Sequence, residues 1–97
     1  MLRKAKIKKL DSAIRDVIKE YGLEEKLKNT SVINLWSEIV GERIAQVTKA
    51  TRIKDGKLSV NVENSVWRNE LIFLKKEIIQ KINNRFKEEI VKDIIFR

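Results

Sequence analysis

The chain has 97 residues, of which 42% are hydrophobic and 37% are charged, and this is the size of one compact domain with a single core. Its 22 basic residues outnumber its 14 acidic ones, and the net charge of +8 favours a partner rich in phosphate, anionic lipid or acidic side chains. The absence of cysteine and histidine excludes disulfides, a cysteine nucleophile, a cysteine metal cluster and a histidine base.

A dense basic segment opens the chain, because the first nine residues carry five basic side chains and no acid. This composition predicts a basic N-terminal arm over residues 1–9 and one folded domain over residues 10–97. The basic residues of the arm are Arg3, Lys4, Lys6, Lys8 and Lys9.

Helical periodicity begins at Leu10, and Gly22 stands where a left-handed helix cap is favoured, so we predict a helix that ends at Tyr21. The apolar stripe of this helix consists of Leu10, Ala13, Ile14, Val17, Ile18 and Tyr21.

Further helical segments precede the predicted sheet. Residues 23–28 favour a short charged helix, and the polar residues 29–31 are candidate N-caps for the next one. Apolar residues recur at helical spacing from Leu35 to Val47 around Gly41, which either permits close packing or divides the helix.

The next pattern is that of a β-hairpin. Asp55-Gly56 is a two-residue turn signal, because both residues tolerate the positive φ of a type I′ turn. Apolar and polar residues alternate over residues 58–63, as in a half-buried strand. Residues 48–54 supply the partner strand, and we expect Arg52 and Lys54 to face outward.

A long helix and a short strand complete the predicted fold. Asn64 and Ser65 are cap candidates for a helix whose apolar residues extend to Phe86, and the β-branched and aromatic residues 90–97 predict a third strand. A hairpin followed by a crossover helix and a strand predicts an α+β fold with a mixed three-stranded sheet and helices on one face.

Motifs for catalysis are missing from the sequence. Gly56-Lys57 is followed by leucine and lacks the preceding glycine of a P-loop. The acidic pairs Glu24-Glu25 and Glu88-Glu89 are flanked by lysine, as on solvated helices, and do not indicate an acid–base pair. We therefore expect a non-enzymatic protein without cofactor, metal or small-molecule substrate. The absence of a long apolar stretch and of a secretory signal favours a cytoplasmic protein without membrane contact.

Cationic side chains concentrate on the hairpin and on the helix after it, where they could follow a phosphate backbone or simply solvate the surface. The hairpin strands carry no aromatic residue for base stacking. Trp36 falls on an apolar stripe and is expected in the core, whereas Trp67 is either a core residue or a partner contact. The candidate nucleic-acid-binding residues outside the arm are Lys49, Arg52, Lys54, Lys57, Arg68, Lys75 and Lys76.

Three segments resemble motifs of one protein family. LWSEIVG at 35–41 is similar to a Trp-x-x-Val-Val-Gly signature, DGKLSVNV at 55–62 to a hairpin motif, and NSVWRNEL at 64–71 to a Ser-x-Trp-x-x-x-Leu helix start. Residues 94–97 resemble the closing strand of the same family. Over about two thirds of its length the chain therefore resembles the DciA-like family.

This resemblance implies a KH-like domain that helps to load the DnaB-type replicative helicase onto DNA without hydrolysing ATP, with single-stranded or tailed DNA as a second ligand. Trp36, Gly41, Trp67 and Leu71 match its signature positions. The chain lacks the Gly-x-x-Gly loop of nucleic-acid-binding KH domains. Larger relatives carry an additional tail or metal-binding segment, and we expect any function of such a tail to be absent here or moved to the arm.

The leading hypothesis is a replication adaptor that contacts the helicase through its folded domain and DNA through basic residues. The alternatives are a general KH-like RNA- or DNA-binding module without a helicase role, and a protein scaffold whose charges serve solubility. Residues 1–9 contribute +5 of the net charge of +8, so the electrostatic case for nucleic acid depends on the arm and the hairpin.

Overall fold

The computed structural model describes residues 12–97. Helix α1 occupies residues 12–20 of this range and ends in a Schellman motif, in which the Leu23 N–H donates to Ile18 O at 2.9 Å and the Gly22 N–H to Lys19 O at 3.2 Å. Gly22 has a φ of +64°, as the sequence predicted for a left-handed cap. The chain then turns directly into the next helix.

The apolar stripe of α1 is largely uncovered by the rest of the described chain. Ile14 is 56% exposed, Val17 47% and Tyr21 71%, and Ile18 is half-buried. The helix predicted from the periodicity is present, but its apolar side does not enter the core.

Three helices lie between α1 and the sheet: α2 (Glu24–Asn34), α3 (Trp36–Val40) and α4 (Glu42–Ala45). The predicted helix start at residues 29–31 is wrong, because α2 runs through them. The hydroxyls of Thr30 and Ser31 donate to the carbonyls four residues earlier, Lys26 O and Leu27 O, and are satisfied inside the helix. Gly41 divides α3 from α4 with a φ of +89°.

The sheet has the strand order β1-β2-β3, with β1 (Thr48–Lys54) antiparallel to β2 (Lys57–Val62) and β3 (Asp93–Phe96) parallel to β2. The turn residues Asp55 and Gly56 have φ values of +53° and +77°, as the turn signal predicted. One residue of β1, Thr51, is left out of the pairing as a bulge, because Ala50 pairs with Val60 and Arg52 with Ser59.

Helix α5 (Ser65–Phe86) crosses the sheet between β2 and β3. It begins at the predicted cap, where Asn64 Oδ1 accepts from the Trp67 N–H at 2.9 Å. Near its end Asn83 Oδ1 accepts from the N–H groups of Ile90 and Val91, both at 3.0 Å, and Asn83 Nδ2 donates to Val91 O at 2.9 Å. This side chain therefore directs the chain from α5 into β3.

One hydrophobic core joins these elements. Leu58, Val60 and Ile94 of the sheet lie in it together with the inward-facing residues of α5, and Val32 of α2 closes it. The α+β class and the mixed three-stranded sheet are confirmed, whereas the KH-like classification and the 1–9/10–97 division stay predictions. Within residues 12–97 no helix has the length and apolar character needed to cross a membrane.

Candidate nucleic-acid interface

The side of the sheet that faces away from α5 carries most of the hairpin cations. Leu58 and Val60 of β2 face the core, and so do the residues paired with them on β1 and β3. Because side chains alternate along a strand, the residues on either side of these positions face outward. Arg97 continues β3 by one residue, because its N–H donates to Val60 O and its carbonyl accepts from the Val62 N–H, both at 2.8 Å. The outer sheet face consists of Lys49, Arg52 and Lys54 on β1, Lys57, Ser59 and Asn61 on β2, and Asp93, Ile95 and Arg97 beside them.

These nine residues form three rows across the strands, in a patch about 10 Å wide. The rows are Lys49–Asn61–Arg97, Arg52–Ser59–Ile95 and Lys54–Lys57–Asp93. Five of the nine residues are basic and one is acidic. Such a surface can contact several phosphates of one strand at once.

The bulge at Thr51 brings Lys49 to the same face as Arg52. In a regular strand, residues separated by an odd number of positions face opposite sides, so Lys49 and Arg52 would be divided. Because Thr51 is unpaired, Lys49 lies opposite Asn61 and Arg52 opposite Ser59, and both face outward. The Thr51 hydroxyl donates to Ser59 O at 3.2 Å.

Lys54 and Lys57 pair directly across the two strands beside the turn. Like charges in this position repel each other, at a cost of about 0.2–1 kcal/mol. The ion pairs found within residues 12–97 leave the five cations of this face without a carboxylate partner. A cluster of this kind lowers its energy when an anion binds.

The single acid of this face is already engaged by a basic residue. Asp93 Oδ1 lies 3.3 Å from Lys75 Nζ. The backbone N–H of Ile94, aided by the Lys75 ammonium, lowers the pKa of the Asp93 carboxyl below its ordinary value. Asp93 therefore remains ionised near neutral pH and partly offsets Lys57.

The predicted residues of α5 lie elsewhere. Arg68 and Lys75, seven residues apart on one side of the helix, are half-buried, and the Arg68 Nε is buried without a hydrogen-bond partner among the described residues. Lys76 is exposed on the side of α5 that faces away from the sheet. The five basic residues of the predicted arm lie outside the described residues. The structure thus assembles the hairpin lysines and Arg52 into one face. Lys75 reaches this face only through its ion pair with Asp93, and Arg68 and Lys76 are not part of it.

Two outward residues, Asn61 and Arg97, were not among the candidates from sequence. Asn61 is part of an alternating strand and could have been placed by that pattern, whereas Arg97 needed the parallel register of β3 with β2. Among the described residues no group of three potential ligands could hold a metal ion.

The model of one protein family, described as "Dna[CI] antecedent, DciA", matches residues 9–96. The chain belongs to the DciA family. The resemblance of the three motifs is thereby confirmed.

Several relatives of this family member are UPF0232 proteins. That of Rhodococcus jostii RHA1 is 31% identical over 78 residues, which is 80% of this chain and 42% of the relative. That of Mycobacterium tuberculosis H37Rv is 28% identical over 85 residues, 88% of this chain and 46% of the relative. That of Corynebacterium glutamicum R is 28% identical over 85 residues, with 88% and 48% covered. The chain therefore spans less than half the length of these relatives.

The two tryptophans of the DciA motifs have different environments. Trp36 is buried in the core, as predicted, and its Nε1 donates to Thr48 Oγ1 at 2.9 Å. Trp67 packs against the core but is only half-buried, and the Arg43 guanidinium carbon lies 5.6 Å from the centre of its ring. Trp67 thus combines a core contact with an accessible edge.

The side of α5 opposite the sheet carries apolar groups that nothing in residues 12–97 covers. Phe73 is 87% exposed and lies about 200° around the helix from the buried Leu71. Val66 and Ile72 are both more than half exposed. The exposed side of α5 consists of Val66, Asn69, Glu70, Ile72, Phe73, Lys76, Glu77 and Gln80.

Proposed function

We propose that this DciA family member is a non-enzymatic replication adaptor that binds single-stranded or tailed DNA and assists the loading of a DnaB-type replicative helicase in the bacterial cytoplasm. It acts without a cofactor, through its outer sheet face on DNA and the exposed side of α5 on the helicase. Family membership supports the replication role, and the charge of the sheet face supports the DNA contact.

The directly opposed Lys54 and Lys57 are the observation on which the DNA contact depends most. Two like charges in a cross-strand pair lower the stability of a hairpin, so selection for stability alone does not favour them. Phosphates bound between them would replace this repulsion with attraction.

The chemistry of the face favours contact with the sugar-phosphate backbone. It contains no aromatic side chain, and at its centre Ser59 is buried and the aliphatic Ile95 is half-buried. Base stacking therefore contributes little, and affinity should depend on charge and hardly on sequence. If all five cations contact phosphates, the logarithm of the association constant for a single strand falls with the logarithm of salt concentration with a slope of about −3.5.

The helicase contact is assigned to the exposed side of α5, where Phe73 is the anchor. Aromatic side chains dominate the energetics of protein interfaces, and this one is 87% exposed instead of lying in the core. The α5 helix lies on the inner side of the sheet, so its exposed side and the outer sheet face point in opposite directions. DNA and helicase can therefore occupy the domain at the same time.

Two measurements on the full chain test this proposal. Binding of single-stranded DNA, tailed duplex and structured RNA is compared across a salt series, and the helicase is co-purified with the chain and with a form lacking residues 1–9. We expect a preference for DNA with a single-stranded part, and helicase capture by both forms. A clear preference for structured RNA without helicase capture would favour a general RNA-binding module, and failure to bind any nucleic acid at ~50 mM salt would favour a protein scaffold.

A further inference from the structure

Strand β3 has one edge that no other strand of the described chain covers. It stands last in the strand order β1-β2-β3 and pairs with β2 on one side only. Arg97 directs both of its backbone groups to β2, since its N–H donates to Val60 O and its carbonyl accepts from the Val62 N–H. Because alternate residues of a strand direct these groups to opposite edges, Ile94 and Phe96 direct theirs away from β2.

The backbone groups on this edge are largely unpaired. The Ile94 N–H interacts with the Asp93 carboxylate. Within residues 12–97 no hydrogen bond reaches the Ile94 carbonyl, the Phe96 N–H or the Phe96 carbonyl. Along the strand these groups form a series of acceptor, donor and acceptor. The backbone of an extended peptide complements such a series, and an uncovered strand edge is a template for one.

One flank of α5 lies beside this edge and makes it cationic. Lys75 Nζ lies 3.3 Å from Asp93 Oδ1, at the start of β3. Helix α5 returns the chain from the end of β2 to the start of the parallel strand β3, so α5 and β3 run in opposite directions. Arg68, about two turns before Lys75, therefore lies toward Phe96. The β3 edge thus has a cation of α5 near each end.

Arg68 is the cation that lacks a partner. Its side chain is half-buried, its Nε is buried without a hydrogen bond, and the ion pairs found in the described part of the chain do not involve it. A buried donor of this kind is stabilised when an acceptor reaches it. A carboxylate fits best, because it accepts two parallel hydrogen bonds from a guanidinium group. Lys75, in contrast, is already paired with Asp93.

An apolar side chain stands between the two cations. Ile72 is 52% exposed and lies along the helix between Arg68 and Lys75. Four residues of helix separate Arg68 from Ile72, a rise of about 6 Å. Two residues on the same side of an extended strand are about 7 Å apart. An acidic residue opposite Arg68 and an aliphatic residue two positions away can therefore be seated together.

We propose that the β3 edge binds an extended acidic peptide of a partner protein. The peptide backbone adds to the sheet beside Ile94 and Phe96, one carboxylate pairs with Arg68, and an aliphatic side chain lies against Ile72. This binding depends on neither the DNA contact nor the helicase contact proposed above.

The charges and the backbone pattern distinguish this occupant from two others. A second copy of the chain would bring β1, which carries Lys49, Arg52 and Lys54 and no acid, or its own β3 edge with the same two cations. Both place like charges together. A nucleic-acid strand would supply a phosphate for Arg68 but no regular series of backbone donors for the carbonyls of Ile94 and Phe96.

A capped peptide of sequence Thr-Glu-Thr-Val-Thr-Glu-Thr is a suitable probe, because its pattern is the same in both directions. Titrated into the isotope-labelled full chain, it should shift the Phe96 amide signal in NMR spectra and slow the exchange of that amide with solvent. Few contacts are formed, so we expect a dissociation constant on the order of 0.1–1 mM. Absence of any shift at ~5 mM peptide would overturn the proposal.

Charge removal tests the role of Arg68. Arg68→Gln should raise the dissociation constant of the peptide about tenfold. Lys81→Gln, which removes an exposed cation on the opposite flank of α5, is the matched control and should leave the constant unchanged. An unchanged constant in Arg68→Gln, or equal binding of a peptide with lysine in place of glutamate, would refute the pairing. A loss caused by Arg52→Gln and not by Arg68→Gln would place the peptide on the outer sheet face and overturn the proposal.

Backbone methylation tests strand addition on the unaltered protein. In an added strand only every second N–H faces β3. One peptide is methylated at the nitrogens of its glutamates and valine, and another at those of its inner threonines. One of the two should bind like the parent peptide and the other should not bind. Equal behaviour of the two methylated peptides would show that the backbone does not pair with β3 and would overturn the proposal.

Discussion

The outer sheet face and the exposed side of α5 lie on opposite sides of one small domain and differ in almost every physical property. The first carries five basic residues, with Ile95 as its only large apolar side chain. The second carries Val66, Ile72 and Phe73 together with Lys76, Glu70 and Glu77, so it has no excess of positive charge. A cationic surface suits phosphate, whereas an exposed apolar cluster without that excess suits a protein.

Under the proposed function, this difference would let one small domain serve two partners. One core supports both surfaces, since the sheet and α5 bury the same cluster of side chains. Variants at one surface should therefore leave binding at the other unchanged, and the predictions below are ways to break this independence.

Charge reversal on the sheet face should have the largest effect. Arg52→Glu with Lys54→Glu is expected to raise the dissociation constant for single-stranded DNA about 100-fold at low salt, because each reversal replaces attraction by repulsion. Fluorescence anisotropy measures this. Lys26→Glu with Lys81→Glu makes the same change in net charge elsewhere and should cost far less. Unchanged DNA affinity in the first variant would refute this placement, and unfolding is checked by circular dichroism.

Phe73→Asp should weaken helicase binding and leave DNA binding unchanged, the reverse of the charge reversal on the sheet face. We expect helicase affinity to fall about 30-fold, since an exposed aromatic anchor contributes about 2 kcal/mol to an interface, while DNA affinity stays the same. Surface-immobilised helicase provides the measurement. Leu27→Asp, which changes an exposed leucine of α2, is the control. If both variants bind the helicase normally, its contact lies elsewhere on the domain.

Asn83→Ala should weaken the whole domain, because three hydrogen bonds between α5 and the start of β3 are lost. The expected loss of unfolding free energy is about 1–3 kcal/mol, measured by urea denaturation. Asn84→Ala, at the exposed neighbouring position, should change it little. Equal stability of the two variants would mean that water replaces the side chain at Ile90 and Val91.

The smallest effect is expected from Lys54→Gln, in which stability and binding should change in opposite directions. Removing the repulsion with Lys57 should raise the free energy of unfolding by about 0.5 kcal/mol, whereas DNA affinity falls severalfold. Thermal unfolding and anisotropy are measured on the same preparation. Lys49→Gln, opposite the uncharged Asn61, should lower affinity without the gain in stability.

The sequence predicted the elements that depend on local chemistry. The turn at Asp55-Gly56, the cap at Asn64 and the helix end at Gly22 all follow from the backbone preferences of single residues. The cap prediction at residues 29–31 failed because Thr30 and Ser31 satisfy their hydroxyls inside α2 instead.

The sequence could not predict whether each apolar stripe is buried, because burial depends on residues far along the chain. The stripes of α1 and α5 have the same period, yet Leu71, Ile78 and Ile82 are buried and Ile14 is exposed. The composition of the candidate site was predictable only in part. Arg52 and Lys54 follow from alternation, whereas Lys49 required the bulge and Arg97 required the register of β3.

The bulge at Thr51 also affects how the chain can change in length. Adding or removing one residue inside a strand normally turns every side chain beyond that point to the opposite face. At Thr51 the ladder already contains one residue more than its partner, so a chain without it would close into a regular strand with Ala50 inward and Lys49 and Arg52 outward. This position is therefore the place in β1 where evolution can delete a residue and keep the charge of the surface.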